Sequence, residues 1–215
     1  MNQRIRKILE YCRGDILDIG CLQHNIDKTN SANWLHGKLC ENFKNVVGID
    51  ISEDVLKLRK FGYTVYRANA ENFNLDKKFD TIVAGELIEH LSNPGNFLEC
   101  AKRHLKKGGI LILTTPNPFW IEYWIRKIFG KLKVNEEHTA WFDLTVLRQL
   151  VSRHGFIIRK YEFIQEKYKP KTLLGFFWHI LLMPLLRRIL PEEVLGEKIL
   201  VVLEVKDDAS ENSLQ

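Results

Sequence analysis

Short apolar runs alternate along this chain with longer stretches in which apolar side chains return at helical spacing. Near the start, Ile5, Ile8, Leu9 and Cys12 recur three or four positions apart. That predicts an amphipathic helix before Gly14. DILDIG (15–20) and VVGIDI (46–51) read as two buried strands. TVYRA (64–68), FDTIVAG (79–85) and GILILTT (109–115) read as the third to fifth. GFIIRKYEF (155–163) and KILVVLEV (198–205) supply two late strands. Apolar strands alternating with helices imply a parallel sheet covered on both faces, a doubly wound α/β fold.

The helices carry their own punctuation. Ser52 precedes Glu53 and Asp54 and then apolar Val55, Leu56 and Leu58, as an N-cap followed by a first acidic turn does. Residues 96–105 are amphipathic, and Gly108-Gly109 is expected to end that helix. Residues 144–154 form another, with Gly155 as its terminal glycine. One domain over 1–206 is expected, with an apolar insertion at about 165–192 and a polar, mobile tail at 207–215.

Composition narrows the class. The chain has 215 residues, 45% hydrophobic and 27% charged, with a net charge of +5. Those are globular proportions, so disorder and coiled coil are set aside. Cysteines 12, 21, 40 and 100 form no CxxC pair and are read as reduced thiols. The first residues carry no long apolar stretch and no small-residue cleavage site, so a cytoplasmic location is expected. The mild positive charge permits an anionic substrate or a membrane surface and does not establish nucleic-acid binding.

In open α/β sheets, ligands bind outside the carboxyl ends of the strands. That gathers Gly20, Cys21, Asp50, Asn69, Gly85 and Glu86 around one crevice. Asp50 ends the second strand, where a carboxylate can accept both hydroxyls of a ribose. A helix cap or a solvated turn is the structural alternative.

The strings DILDIGC, GIDIS, ANAENF, FDTIVAGELIEHL, LKKGG, TTPNP and EHTAWFDLTVLRQLVSRHGF, in that order, resemble the class I S-adenosylmethionine-dependent methyltransferases. The resemblance covers residues 15–163. It implies a seven-stranded Rossmann-like sheet with the last strand antiparallel, and S-adenosylmethionine as methyl donor. Asp18, Gly20 and Cys21 would approach the donor's methionine part. Asp50 would hold the ribose, and Ile51 would pack on the adenine. Asn69 and Ala70 would meet the adenine amine, while Gly85 and Glu86 would border the donor amine and the transferred methyl. One departure stands out. The family's GxGxG reads GCLQHN here, with Leu22 and His24 where glycines are expected. Either the loop binds the donor differently, helped by His24 or Asn25, or donor binding is lost and the domain is a non-catalytic relic. A non-catalytic donor-binding or structural domain is thus the rival to the enzyme. The string NWLHG (33–37) resembles a subgroup signature.

An oxygen acceptor needs a base or a metal to remove its proton. In ELIEH, Glu86, Glu89 and His90 are spaced to share one helical face. Two carboxylates and an imidazole suit a divalent ion. The string resembles the magnesium-dependent E-x-x-E-H of ubiquinone-pathway O-methyltransferases. Small-RNA 2′-O-methyltransferases add a later histidine, which His138 would supply. The cluster therefore reads as a magnesium or manganese site of Glu86, Glu89, His90 and His138, as a metal-free base at His90 or His138, or as structure. An RNA acceptor is the weaker alternative, because no RNA-binding module is evident. A nicotinamide oxidoreductase is disfavoured, since GxGxxG is missing.

Two segments bear on the acceptor. Residues 119–133 interleave aromatics with Arg126, Lys127, Lys131 and Lys133. Residues 173–186 form an uncharged run flanked by Lys171, Arg187 and Arg188, shorter than the roughly 20 residues that span a bilayer. Pro184 would kink a helix there. A peripheral membrane contact through 173–188, with a small-molecule or lipid-linked acceptor, stands beside core packing or a homodimer interface.

Overall fold

The computed structural model describes residues 1–22, 29, 31–166 and 182–206. His24, residues 173–181 of the apolar run and the tail at 207–215 lie outside the described residues, as does most of the expected insertion.

Seven strands form one sheet in the order β3-β2-β1-β4-β5-β7-β6. They are β1 (Ile16–Ile19), β2 (Val46–Asp50), β3 (Val65–Arg67), β4 (Phe79–Gly85), β5 (Leu105–Pro116), β6 (Phe156–Ile164) and β7 (Lys198–Val205). β1 pairs in parallel with β2 on one side and β4 on the other. β7 runs antiparallel to both β5 and β6, as the resemblance implied. Strand order reverses at β1, so a crevice opens between the carboxyl ends of β1 and β4.

Alternating side chains divide the core between the two faces of the sheet. Leu17, Ile19, Leu111 and Leu113 pack with Phe97 and Leu98 of helix α3 (Pro94–His104) and with Leu147 and Val151 of α5 (Leu144–Arg153). Ile16, Ile110 and Ile112 point the other way. They meet Ile5 and Ile8 of α1 (Gln3–Tyr11) and Leu35 and Leu39 of α2 (Leu35–Asn42). The fourth helix, α4 (Ile121–Ile128), buries only Glu122.

Three local expectations need correction. Ser52 does cap a helix, accepting from the Asp54 N–H at 3.3 Å, but residues Glu53–Phe61 wind as a 3-10 helix. The α3 helix stops at His104, before the two glycines, because Leu105 is already extended. Gly108 and Gly109 instead lie within β5. A Cβ on Gly109 would stand 2.9 Å from the Lys106 carbonyl oxygen, so that close approach needs a glycine. Third, Glu86 is not helical: only Ile88–His90 form a single 3-10 turn. Among the described residues, no helix is long and apolar enough to cross a membrane.

Candidate active site

A cavity of about 1140 Å³ opens at the carboxyl ends of β1, β2 and β4. Small-molecule pockets occupy roughly 300–1,000 Å³, so it has room for more than one small ligand. Gly20, Asp50, Ile51, Asn69, Ala70, Gly85, Glu86, Glu89, His90 and His138 all line it. Gly20 turns the chain out of β1 at φ +80°, a conformation that glycine adopts without steric cost. Asp50 accepts from the backbone N–H groups of Ser52 and Leu22, both at 3.0 Å. Each carboxylate oxygen keeps a lone pair for a ligand. Ile51 beside it is 65% exposed, an apolar surface open to the cavity. Asn69 Oδ1 already accepts from the Glu71 N–H at 2.9 Å.

Asp18 and Cys21 do not reach the cavity. Asp18 shares the face of Ile16, so strand alternation sends it toward α2. There it meets His36 Nδ1 at 3.1 Å, fully buried. Burial alone would lower the His36 pKa, but hydrogen bonds to Asp18 and Cys40 outweigh it and hold the ring at about 9. Burial raises the pKa of the Asp18 carboxyl as well, so the fold favours a proton held between the two groups. Cys21 and Leu22 are buried in a small core with Trp34, Val55, Leu58 and Val65. Trp34 Nε1 donates to the Cys21 carbonyl at 2.7 Å. That gives a structural use to Leu22, one of the two residues standing where the family has glycine, and to Trp34 of the NWLHG string. Buried side chains fasten residues 21 and 22, and the Leu22 N–H is thereby held on Asp50. His24 lies outside the described residues.

Across the cavity, Glu89, His90 and His138 each present one ligand atom within 4.8 Å of the other two. Glu89 is 1% exposed; its Oε2 accepts from Thr115 Oγ1 at 3.1 Å, while Oε1 has no hydrogen-bond partner. His138 Nδ1 is likewise buried without a partner. The two imidazole rings stand edge to face, 4.7 Å between centroids. Burial and the neighbouring Glu86 push the Glu89 carboxyl up to about 8. Burial and His90 lower the pKa of His138.

Glu86 takes another role. Its backbone sits at φ +57°, the one non-glycine residue with positive φ among the described residues. Such strain costs about 1–3 kcal/mol and collects at functional sites. Its carboxylate pairs with Lys198 and keeps Oε1 buried and unpartnered. Burial would raise its pKa, but Lys198 and Arg4 together hold it low.

Sequence reasoning missed Arg4, Tyr123, Trp141 and Lys198, which also line the cavity. Arg4 is buried and donates to Thr114 Oγ1 at 3.4 Å. Nothing in the polar start of the chain marks it. Trp120, Tyr123, Trp141 and His138 form a run of edge-to-face rings along one side of the site. The aromatic spacing of 119–133 was the available signal for that wall.

The sequence profile of a family described as "Methyltransferase domain" matches residues 1–161. A ubiquinone biosynthesis O-methyltransferase of Pelagibacter ubique is 32% identical over 111 residues, which are 47% of this chain and 42% of that protein. The chain spans less than half the length of the curated relatives it matches. A SAM-dependent methyltransferase of Archaeoglobus fulgidus superposes with a TM-score of 0.63 at 19% identity, covering 93% of this chain and 90% of that one. The magnesium protoporphyrin IX methyltransferase of Synechocystis, solved with bound SAH, gives 0.62 at 13% identity, covering 95% and 83%. At such identities these two superpositions establish the fold alone.

Proposed function

Because the chain belongs to the methyltransferase domain family, in its class I adenosylmethionine-dependent form, we propose that it transfers a methyl group from S-adenosylmethionine to an oxygen of a small or lipid-linked acceptor. One observation carries this reading. A single cavity is lined at one side by Asp50 and Ile51 and at another by Glu89, His90 and His138. The first group suits a nucleoside, and the second suits an acceptor that must lose a proton. The first relatives named O-methyltransferases support oxygen as the acceptor atom.

The chain's residues divide the work. Asp50 accepts from the ribose hydroxyls with the lone pairs that Ser52 and Leu22 leave free. Ile51 offers an apolar surface to the adenine. Asn69 accepts from the adenine amine with the remaining lone pair of Oδ1. Glu86, held ionised by Lys198 and Arg4, turns its free Oε1 toward the donor's ammonium. The donor arrives activated, so alignment of the two reactants supplies much of the rate.

The residues on the acceptor side fit a divalent cation. Glu89 Oε1 and His138 Nδ1 are buried and unpartnered beside His90, which is the donor set such an ion takes. Glu89, His90 and His138 would hold it; Glu86 is committed to Lys198. When bound, magnesium or manganese would lower the acceptor hydroxyl's pKa. A second reading rests on the lowered pKa of His138. A neutral imidazole there can take the acceptor proton without a metal.

The test is methyl transfer from isotopically labelled donor to fractionated polar and lipid extracts. Label in an ether or ester product supports the reading. Label in an amine product moves the acceptor to nitrogen. Donor binding without any labelled product would leave a non-catalytic donor-binding domain.

A further inference from the structure

We propose that α4 and the segment around Met183–Leu186 together form a surface that docks on an anionic membrane. The α4 helix buries one side chain, Glu122, and leaves Trp124 and Ile128 exposed, Ile128 by 76%. Phe129 follows it, also exposed. Leu185 and Ile189 are exposed on the second segment, Ile189 by 71%. A cleft shared by Trp120, Glu122, Met183 and Arg187 sets the two segments side by side. An apolar surface of this kind is rare on a soluble domain unless something covers it.

The charges say what covers it. Lys127, Lys131, Arg187 and Arg188 are all exposed and neighbour those apolar side chains along the chain, while the exposed acids Glu192 and Glu193 come after them. The one acid of α4, Glu122, points inward and is matched by Arg126 at 3.0 Å. Two copies meeting through this face would bring like charges together at an isologous contact. Anionic headgroups complement the same charges while the apolar tips enter the interface. Among the described residues, no helix is long and apolar enough to cross a membrane. The face also adjoins the cavity, because Tyr123, Lys133 and Val134 belong to its lining. An acceptor carried in the membrane would enter from that side.

The contact goes beyond methyl transfer and is measured without donor or acceptor, so either reading can fail alone. The full chain is floated with vesicles of phosphatidylcholine, with and without phosphatidylglycerol. Binding to the anionic vesicles, weakened by salt and absent with neutral ones, is expected. Ile128→Ser with Phe129→Ser should lower the bound fraction by about tenfold or more, since two apolar side chains no longer leave water. Lys127→Glu with Lys131→Glu should remove most of the salt-sensitive part. Both pairs are exposed, so melting temperatures should match the parent; Ile189→Ser serves if the first pair does not fold. Failure to float with anionic vesicles at low salt would overturn the proposal. So would a dimer in solution that Ile128→Ser and Phe129→Ser dissociate.

Discussion

The backbone N–H of Thr139 donates to the carbonyl of Glu89 across 2.8 Å, tying together residues fifty positions apart in the chain. The Thr139 hydroxyl is shared between that carbonyl and the carbonyl of Leu91, at 3.1 and 2.7 Å. These bonds hold the neighbouring His138 ring against His90. Thr139→Val keeps the backbone bond and the side-chain shape but removes the hydroxyl. We expect a loss of about 1 kcal/mol in stability. Turnover should fall about tenfold, because a small displacement at the reacting centre is costly. Donor affinity should not change. Thermal unfolding, steady-state kinetics and calorimetry check the three parts.

The Glu89–His90–His138 group yields a separable pair of outcomes. Glu89→Gln and His138→Ala should each reduce turnover roughly a hundredfold while leaving donor affinity intact. If the group holds a cation, chelation reproduces the loss and magnesium or manganese restores activity. If His138 acts alone as base, activity survives chelation but not His138→Ala. Activity unmoved by any of these treatments would make the group structural.

Folding raises the pKa of His36 from its ordinary 6.5 to about 9. The fold therefore favours the protonated ring. Its contribution to stability is complete below about pH 6.5 and is lost as pH rises through about 9. His36→Gln should lower the melting temperature more at pH 6 than at pH 9. An equal drop at both values would mean that no charged pair is stabilised there.

The strands were legible because strands buried on both faces of a sheet need unbroken apolar runs, and parallel β4 and antiparallel β7 both begin and end where the sequence marks them. Two glycines in a row were not, since a strand irregularity and a helix stop use the same residues. Asp50 was singled out by its place at a strand end and Ile51 by the family resemblance, and both line the cavity. Asp18 misled for a geometric reason: it is one residue out of phase, on the α2 side of β1. Glu86 misled because the i, i+3, i+4 spacing of ELIEH resembles a helix. Only the backbone turn at φ +57° shows otherwise. Lys198 escaped because β7 is antiparallel. Its first residue, paired with Pro116, lies beside the carboxyl ends of the parallel strands, where a search of their last residues does not look.

The central claim is that the cavity holds an adenosyl donor through Asp50. Calorimetric titration of S-adenosylmethionine into the parent and into Asp50→Ala tests it most directly, with circular dichroism to establish that both are folded. Binding to the parent, and a loss of roughly 1–3 kcal/mol in the variant, is the predicted result, because the ribose hydroxyls would be left buried without an acceptor. Equal donor affinity in the two folded proteins would contradict it.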